Sequence, residues 1–198
     1  MSTVDFNFPV PIAELTRLHA RLEERAEDRQ LVDVGYRRVD SPVGPLLLAA
    51  TERGLVRIAF ASEVEDLVLQ ALADRISPRV LEAPRRLDPV ARQLDEYFAG
   101  RRQHFEVELD WQLSRGFRRT VLHQLDAEVG YGRTASYSQL AGLAGNERAV
   151  RATATACATN PIPIVVPCHR VVRADGGAGQ YRGGTAAKLE LLALERRG

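Results

Sequence analysis

The chain has 198 residues, 45% apolar and 27% charged, which is typical of a globular protein with one large domain or two small ones. No apolar run is long enough to span a membrane, and the N-terminus lacks the pattern of a signal peptide. Two cysteines cannot form a disulfide framework, so we expect no membrane association and a reducing compartment, the cytoplasm.

The net charge of +1 conceals an uneven distribution along the chain. Residues 1–110 carry 15 basic and 20 acidic side chains, a net charge of −5, whereas residues 111–198 carry 12 and 6, a net charge of +6. A basic C-terminal half suits a phosphate backbone as its partner. Taken alone, a split of this size is better interpreted as a solvated surface.

The first half of the chain is predicted to form a small α/β domain. Apolar residues recur at helical spacing in residues 12–29, 63–75 and 88–99, and strand patterns with intervening turns lie within 36–60 and at 104–109. We assign residues 1–33 to a helical extension and residues 34–110 to a domain with a mainly antiparallel sheet. This half contains no chemical motif.

The second half, residues 111–198, is predicted to be mainly helical. After an amphipathic segment from Phe117 to Val129, two short helices, Ser136–Ala144 and Asn146–Ala158, meet at Gly145. Ser136 and Asn146 are residue types that cap helices. This is the outline of a helix-turn-helix. A last helix is expected over residues 185–196, with Leu189 and Leu192 facing the core and Leu191 as a further candidate for that face.

One short motif carries chemistry, Pro167-Cys168-His169-Arg170, which follows the apolar run Ile162–Val166. A thiol beside an imidazole can act as a nucleophile, because a basic or cationic neighbour favours the reactive thiolate. Pro167 biases Val166 towards an extended backbone, so we expect a strand-like run that ends at the cysteine. Cys157 is interpreted as a small apolar core residue. A zinc site is not expected, because adjacent Cys and His lack the usual ligand spacing.

With these residues in place, the second half resembles the O6-alkylguanine-DNA alkyltransferases, also called methylated-DNA–protein-cysteine methyltransferases. The resemblance runs from Phe117 to Glu195. Its matching positions are Ser136-Tyr137, Leu140-Ala141, Arg151-Ala152, Asn160-Pro161, Pro167-Cys168-His169-Arg170-Val171, Gly179, Tyr181, Gly183-Gly184, Lys188, Leu191-Leu192 and Glu195. The first half matches more loosely, through residues 41–46 and 97–100.

The resemblance implies both a fold and a reaction. The fold is an N-terminal α/β domain of ribonuclease H-like shape, followed by a winged-helix-like helix-turn-helix domain that carries the active cysteine. The reaction is DNA repair: the protein binds duplex DNA containing O6-alkylguanine, flips the damaged base into a pocket and moves the alkyl group to its own cysteine. The thioether is stable, so each molecule reacts once, as a monomer and without a metal or diffusible cofactor. Such a protein would act in the bacterial cytoplasm, on the nucleoid when bound to DNA.

The resemblance also implies roles for individual residues. Cys168 would accept the alkyl group, His169 would act as base through a water, Glu195 would orient that histidine, and Asn160 would shape the turn that leads to the cysteine. The expected substrate pocket consists of Tyr137, Pro163, Val171, Tyr181, Arg182 and Gly183. The expected DNA contacts are Arg151, which would enter the base stack, with Ser136, Ala152, Thr153 and Ala154.

The chain departs from the family pattern at Arg118, Leu122, Thr153, Ala154 and Arg182. These departures leave DNA affinity and the range of accepted alkyl groups open, as is cooperative assembly on DNA. Three other classes compete with a repair protein: a non-catalytic sensor of alkylated DNA, a transcriptional regulator and a cysteine hydrolase. Sensors in the family lack the cysteine, and its regulators carry an additional cysteine-rich zinc domain.

Overall fold

A four-stranded mixed sheet organises the first half of the chain in the computed structural model, which describes residues 11–197. The strands are β1 (Val34–Val39), β2 (Leu46–Thr51), β3 (Gly54–Phe60) and β4 (Val80–Glu82), in the order β3-β2-β1-β4. The β1–β2 and β2–β3 pairs are antiparallel, and β4 runs parallel to β1. The expected antiparallel majority is confirmed. β4 was not predicted, because three residues are too few to show an alternating pattern.

Three helices accompany this sheet, α1 (Ile12–Asp28), α2 (Glu65–Arg75) and α3 (Asp88–Phe98). All three predicted helical segments are therefore confirmed. α1 is held to the sheet edge by His19 Nε2, 2.9 Å from the carbonyl oxygen of Glu82, and by buried Glu23, which accepts from the backbone N–H of Arg85 at 3.2 Å. The first ten residues of the predicted extension lie outside the described residues.

The strand predicted at residues 104–109 is wrong. Only Leu109 pairs, in an isolated bridge with Leu55. Nearby, the Gln93 side chain bonds both backbone groups of Glu106, accepting from its N–H at 2.7 Å and donating to its carbonyl at 3.0 Å. A side chain has thus replaced the neighbouring strand as hydrogen-bond partner, which the local sequence pattern does not reveal.

Four helices form the second half, α4 (Gly116–Glu128), α5 (Tyr137–Leu143), α6 (Val150–Ala158) and α7 (Gly184–Arg197). Two short parallel strands, β5 (Ala135–Ser136) and β6 (Val171–Val172), join the start of α5 to the segment after the cysteine. No helix among residues 11–197 is long and apolar enough to cross a membrane.

Of the two N-caps predicted for the helix-turn-helix, only the one at the start of α5 is present. Ser136 caps α5 in a reciprocal capping box with Gln139, as predicted. Asn146 does not cap α6, because its own N–H bonds the carbonyl of Ala141 at 2.9 Å and its carbonyl accepts from Ala149 at 2.9 Å. The residues before Val150 therefore form a turn, and α6 begins four residues later than predicted.

The buried face of the last helix agrees with the prediction at Leu191 and Leu192 and differs from it at Leu189. Leu189 is 53% exposed, whereas Leu191 and Leu192 are buried. The same buried face carries two charged residues, Lys188 and Glu195. The prediction assumes that charged positions face the solvent. Because this helix buries two charged residues beside its leucines, the assumption places Leu189 on the wrong face.

One hydrophobic core joins the two halves of the chain. Leu46, Leu48 and Ile58 of the sheet belong to the same buried cluster as Val121 of α4 and Cys168. The opposite sheet face packs separately against α2. The reactive cysteine therefore lies within the main core, where a fixed environment can control its protonation.

Candidate active site

The segment before the cysteine is a buried tight turn, so the predicted strand-like run is wrong. Pro163 bridges Val166, and Ile164 has φ of 74°, which is rare for a β-branched residue. Asn160 stabilises the turn: its Oδ1 accepts from the N–H of Ile162 at 3.0 Å, and its Nδ2 donates to the carbonyl of Val166 at 2.8 Å. A single buried asparagine side chain thus takes the place of a partner strand.

Cys168 begins a short 3-10 turn, Cys168–Arg170, and is only 2% exposed. Its Sγ accepts a hydrogen bond from Asn160 Nδ2 at 3.2 Å. Burial raises the pKa of this thiol to about 11, and the bond from Asn160 and the charge of Lys188 offset only part of that effect. The thiol is therefore protonated near neutral pH, so its reaction needs a base.

His169, the next residue in the chain, is fully buried. Its Nε2 lies 2.9 Å from Glu195 Oε1. An ionised carboxylate only accepts hydrogen bonds, so Nε2 carries the proton and Nδ1 bears a lone pair. Burial lowers the pKa of His169 despite the nearby carboxylate, which keeps the ring neutral. Within the described part of the chain, Nδ1 has no hydrogen-bond partner.

Glu195 on α7 is the centre of a buried network. Besides His169, its two oxygens accept from Tyr97 Oη at 2.7 Å, from Arg170 Nε and Nη2 at 2.9 Å each, and from the N–H of Gly132 at 3.1 Å. Burial alone would raise the pKa of Glu195, but the bonds from His169 and Arg170 outweigh it and hold that pKa below the ordinary value. The carboxylate therefore stays ionised and fixes the imidazole tautomer.

Sequence reasoning missed three members of this site. Arg170 was quoted only as part of the motif, although it pairs with Glu195 through two bonds. Tyr97 comes from α3, and no sequence signal connects it with a glutamate 98 residues away. Lys188 is fully buried and donates to the carbonyl of Val171 at 2.5 Å, and burial lowers its pKa. Lys188 could have been singled out from the sequence, because it is the only lysine of the chain.

Most of the predicted pocket residues lie around the Cys168 turn. Val171 and Pro163 are buried in or beside it, and Tyr181 packs its ring edge against His169, with centroids 6.3 Å apart. The Tyr181 hydroxyl is buried and has no partner among residues 11–197. Tyr137 reaches Gly179: a Cβ at that glycine would lie 2.7 Å from its hydroxyl oxygen. The loop containing Gly179 thus packs directly on Tyr137.

The side chain of Arg182 turns away from this group. Its Nε donates to Glu63 Oε2 at 2.9 Å, and its Nη1 lies 3.4 Å from the carbonyl oxygen of Asn160. The guanidinium therefore links the second half of the chain to the first. Only the backbone at this position remains available to the substrate pocket expected beside Cys168.

Gly183 offers a test of how tightly the pocket wall packs on the first domain. A Cβ there would lie 2.6 Å from the Phe60 ring. We expect Gly183→Ala to lower the free energy of unfolding by about 1–3 kcal/mol through overpacking, measured by urea denaturation. Gly130→Ala is the matched control, because nothing lies within 4 Å of its Cβ position. Equal effects of the two substitutions would contradict the close contact.

The predicted DNA-contacting residues fall on the exposed side of α5 and α6, with one exception. Arg151 and Ala152 are exposed, and Ser136 stands at the start of α5. The Arg151 guanidinium makes no ion pair or hydrogen bond within residues 11–197. Thr153 is fully buried, so its side chain is withdrawn from the predicted contacts. Ala154 helps to line a groove of about 420 Å³ whose other walls are Tyr137, Thr155, Ala158, Arg173, Gly179 and Gln180.

No group of three or more His, Cys, Asp or Glu side chains in the described part of the chain is arranged to hold a metal ion. Cys157 is buried in α6, as its interpretation as a core residue requires. Both cysteines are free.

Two family models match almost the whole of the described chain. The model "6-O-methylguanine DNA methyltransferase, ribonuclease-like domain" matches residues 34–111, and "6-O-methylguanine DNA methyltransferase, DNA binding domain" matches residues 116–197. The first coincides with the sheet domain, and the second contains the Cys168 site and the helix-turn-helix.

Individual relatives agree with these models. The methylated-DNA–protein-cysteine methyltransferase of Mycolicibacterium paratuberculosis is 39% identical over 164 residues, 83% of this chain and 93% of that protein. The protein of the same name from Methanosarcina barkeri is 35% identical over 160 residues, 81% of this chain and 96% of that protein.

Solved structures give the same result. The Mycobacterium tuberculosis O6-methylguanine methyltransferase superposes with a TM-score of 0.71 at 36% identity, covering 83% of this chain and 93% of that chain. The structure of M. tuberculosis OGT in complex with DNA has the same TM-score and identity, covering 82% and 93%. The chain therefore belongs to the methylated-DNA–protein-cysteine methyltransferase family, with the ribonuclease-like and helix-turn-helix architecture that its sequence predicted.

Proposed function

We propose that this protein repairs DNA by moving the alkyl group of O6-alkylguanine to Sγ of Cys168, as a methylated-DNA–protein-cysteine S-methyltransferase. The observation that carries the proposal is the buried thiol of Cys168, followed directly by a neutral histidine whose tautomer Glu195 fixes. Family membership supplies the reaction class. The buried thiol, the neutral imidazole and the ionised carboxylate support the proposed roles of Cys168 as nucleophile, His169 as base and Glu195 as the group that orients the base.

The chemistry follows from these protonation states. The sulfur forms a bond to the alkyl carbon while the bond from that carbon to guanine O6 breaks, and the electron pair leaves with the guanine. The thiol proton passes to Nδ1 of His169 through a water, and a proton is returned to the guanine. Burial raises the pKa of Tyr137, so its hydroxyl remains a donor and can hydrogen-bond the departing base.

The alkyl group can reach the sulfur only on an extrahelical guanine. O6 lies within the base stack of duplex DNA, and Cys168 is almost completely buried. We propose that Pro163, Val171, Tyr181 and the backbone at Arg182 and Gly183 line the pocket. Two buried polar atoms without a partner in the described residues, His169 Nδ1 and Tyr181 Oη, belong to this cluster and support a polar occupant.

DNA binding is assigned to the exposed side of the helix-turn-helix. Arg151, Ala152, Ala154 and Ser136 are proposed to contact the duplex, with Arg151 filling the space left by the flipped guanine. The net charge of +6 on residues 111–198 supports this orientation. We further propose that the protein acts as a monomer in the cytoplasm. Its two free cysteines are consistent with that reducing compartment.

The decisive test is the mass of the protein after reaction. Incubation with duplex DNA containing O6-methylguanine should add one methyl group to Cys168, and peptide mapping should locate it there. Cys168→Ser should abolish transfer and retain DNA binding, because a serine hydroxyl is less acidic than a thiol and a much weaker nucleophile towards the alkyl carbon.

Cys157→Ser is the matched control, since burial raises the pKa of that thiol too. It should leave transfer largely intact. Transfer that persists in Cys168→Ser would refute the assignment. Wild-type protein that binds alkylated DNA tightly but gains no methyl group would instead be a non-catalytic sensor.

A further inference from the structure

A cavity of about 320 Å³ lies between the two halves of the chain, apart from the Cys168 turn. One side of α2 along its length, strand β3, the first turn of α4 and Arg182 supply most of its walls. Four arginines line it, Arg57, Arg75, Arg118 and Arg182, and the one carboxylate in the lining is Glu63. The charged groups of the cavity therefore sum to +3.

Glu63 has no capacity left to balance further cations. Its Oε2 accepts from both Arg57 and Arg182, and its Oε1 accepts from the N–H of Phe60 at 3.1 Å. Arg57 is only 7% exposed, and its Nη1 also donates to the carbonyl oxygens of Ile58 and Pro161, at 2.9 and 3.3 Å. This pair of arginines is thus partly neutralised and firmly held.

Arg75 and Arg118 have no such counter-ion. Both guanidinium groups donate to one neutral acceptor, the carbonyl oxygen of Leu113, and neither forms an ion pair within residues 11–197. Two cations meeting at one carbonyl repel each other. Each guanidinium carries five N–H donors and forms one hydrogen bond within residues 11–197, so donors remain available to a ligand.

The charges in this cavity influence one another. Burial, followed by the charges of Arg75 and Arg182, lowers the pKa of Arg118. Burial, Arg182 and Arg75 likewise lower the pKa of Arg57 to about 10, although Glu63 opposes them. A purely structural cluster would provide a carboxylate for each arginine, whereas here the cavity side is left positive.

We propose that this cavity binds a phosphoryl group, carried either by a small phosphorylated molecule or by a DNA strand. Guanidinium groups match phosphate oxygens in paired hydrogen bonds. Part of the lining is apolar and accessible, since Val64 and Leu67 are 62% and 67% exposed, and it can cover the organic part of the ligand. The volume falls at the lower end of the range for small-molecule sites, about 300–1,000 Å³.

The site is connected to the reactive cysteine through two hydrogen-bonding residues. Arg182 lies 3.4 Å from the carbonyl oxygen of Asn160, whose side-chain amide donates to Cys168 Sγ. A bound phosphoryl group that draws Arg182 into the cavity therefore acts on the residue that braces the thiol.

The first experiment measures phosphate binding to the full-length protein. Thermal unfolding is followed while inorganic phosphate replaces chloride at constant ionic strength, and the dissociation constant is taken from the saturable rise in melting temperature. Arg118→Gln should weaken phosphate binding by roughly tenfold or more, because it removes a charge-assisted contact while the amide can still donate to Leu113. It should not lower the melting temperature in chloride, since it relieves repulsion.

Arg119→Gln is the control, because Arg119 is the next residue on α4, carries the same charge, is exposed and lies outside this cavity. It should leave phosphate binding unchanged. The proposal is overturned if phosphate stabilises the protein no more than chloride does, or if the two substitutions weaken binding equally.

A competition experiment then identifies the source of the phosphoryl group. Undamaged duplex DNA is added to phosphate-loaded protein, and a deoxynucleoside monophosphate is titrated in parallel. Release of phosphate by the duplex means that the cavity holds the DNA backbone. Retention of phosphate on the DNA-bound protein, with tighter binding of the monophosphate, means that it holds a small phosphorylated ligand.

Discussion

Replacing Glu195 with glutamine should lower the free energy of unfolding by about 3–5 kcal/mol, the cost of removing one partner from a buried ion pair. The amide has nearly the same shape but no charge, so buried Arg170 loses its counter-ion. Tyr97, His169, Arg170 and Gly132 all donate to this side chain, and an amide NH₂ cannot accept from any of them. A loss of this size is a large part of the 5–15 kcal/mol typical of a domain.

The same substitution should slow alkyl transfer in protein that remains folded. Glutamine can present its NH₂ to His169 Nε2, which would move the ring proton to Nδ1 and remove the lone pair needed for the thiol proton. Urea denaturation measures the stability, and single-turnover transfer below the unfolding transition measures the chemistry. Glu190→Gln, an exposed change on the same helix, should affect neither. Stability unchanged in Glu195→Gln would contradict the buried network.

The pH dependence of stability provides an independent check on Glu195. Its pKa is held below the ordinary value of 4.5 in the folded protein, so the unfolded chain takes up the proton first as the pH falls. The stabilisation is therefore complete above about pH 4.5 and is lost as the pH falls further, towards the folded pKa. The difference between wild type and Glu195→Gln should be constant from neutral pH down to that region and then shrink.

The sequence indicates the three proposed reactive residues more directly than it indicates their surroundings. Cys168 and His169 stand next to each other in a short motif, and Glu195 follows from the family spacing, so these three are visible in a one-dimensional pattern. Tyr97 is not, because it reaches Glu195 from α3 in the other domain. The thiol pKa was also expected to fall beside the imidazole. It rises instead because burial, which a motif does not record, is the larger effect.

The two wrong strand predictions share one physical cause, the replacement of regular backbone pairing by side chains. Asn160 stabilises a turn in an apolar run that is typical of a strand, and Gln93 does the same for an expected strand near Glu106. By contrast, the helices of the first domain and the Ser136 cap depend on local patterns alone, and these predictions are confirmed. The strand patterns lacked the hydrogen bonds that single polar side chains make to the backbone, although the family resemblance did indicate that Asn160 shapes its turn.

Arg151→Ala should slow repair of O6-methylguanine in duplex DNA by roughly tenfold to a hundredfold, while the free base O6-methylguanine reacts almost as before. Arg151 is exposed on α6, and its guanidinium has no partner in the described residues. If it occupies the space left by the flipped guanine, its contact exists only after flipping, which costs a few kcal/mol. Loss of a stacking contact worth about 1–3 kcal/mol corresponds to that range of rates.

The comparison of the two substrates distinguishes this role from simpler ones. A free base needs no flipping, so equal losses on both substrates would mean that Arg151 supports the pocket or the fold. Arg148→Ala removes the same charge from the exposed turn before α6 and serves as the control. If Arg148 contacts a phosphate, its loss should weaken binding uniformly and lower the salt slope by roughly one, without a selective effect on the duplex repair rate. Because Arg151 is proposed to act after flipping, its loss should reduce the single-turnover rate even at saturating duplex, where a phosphate contact no longer limits the reaction.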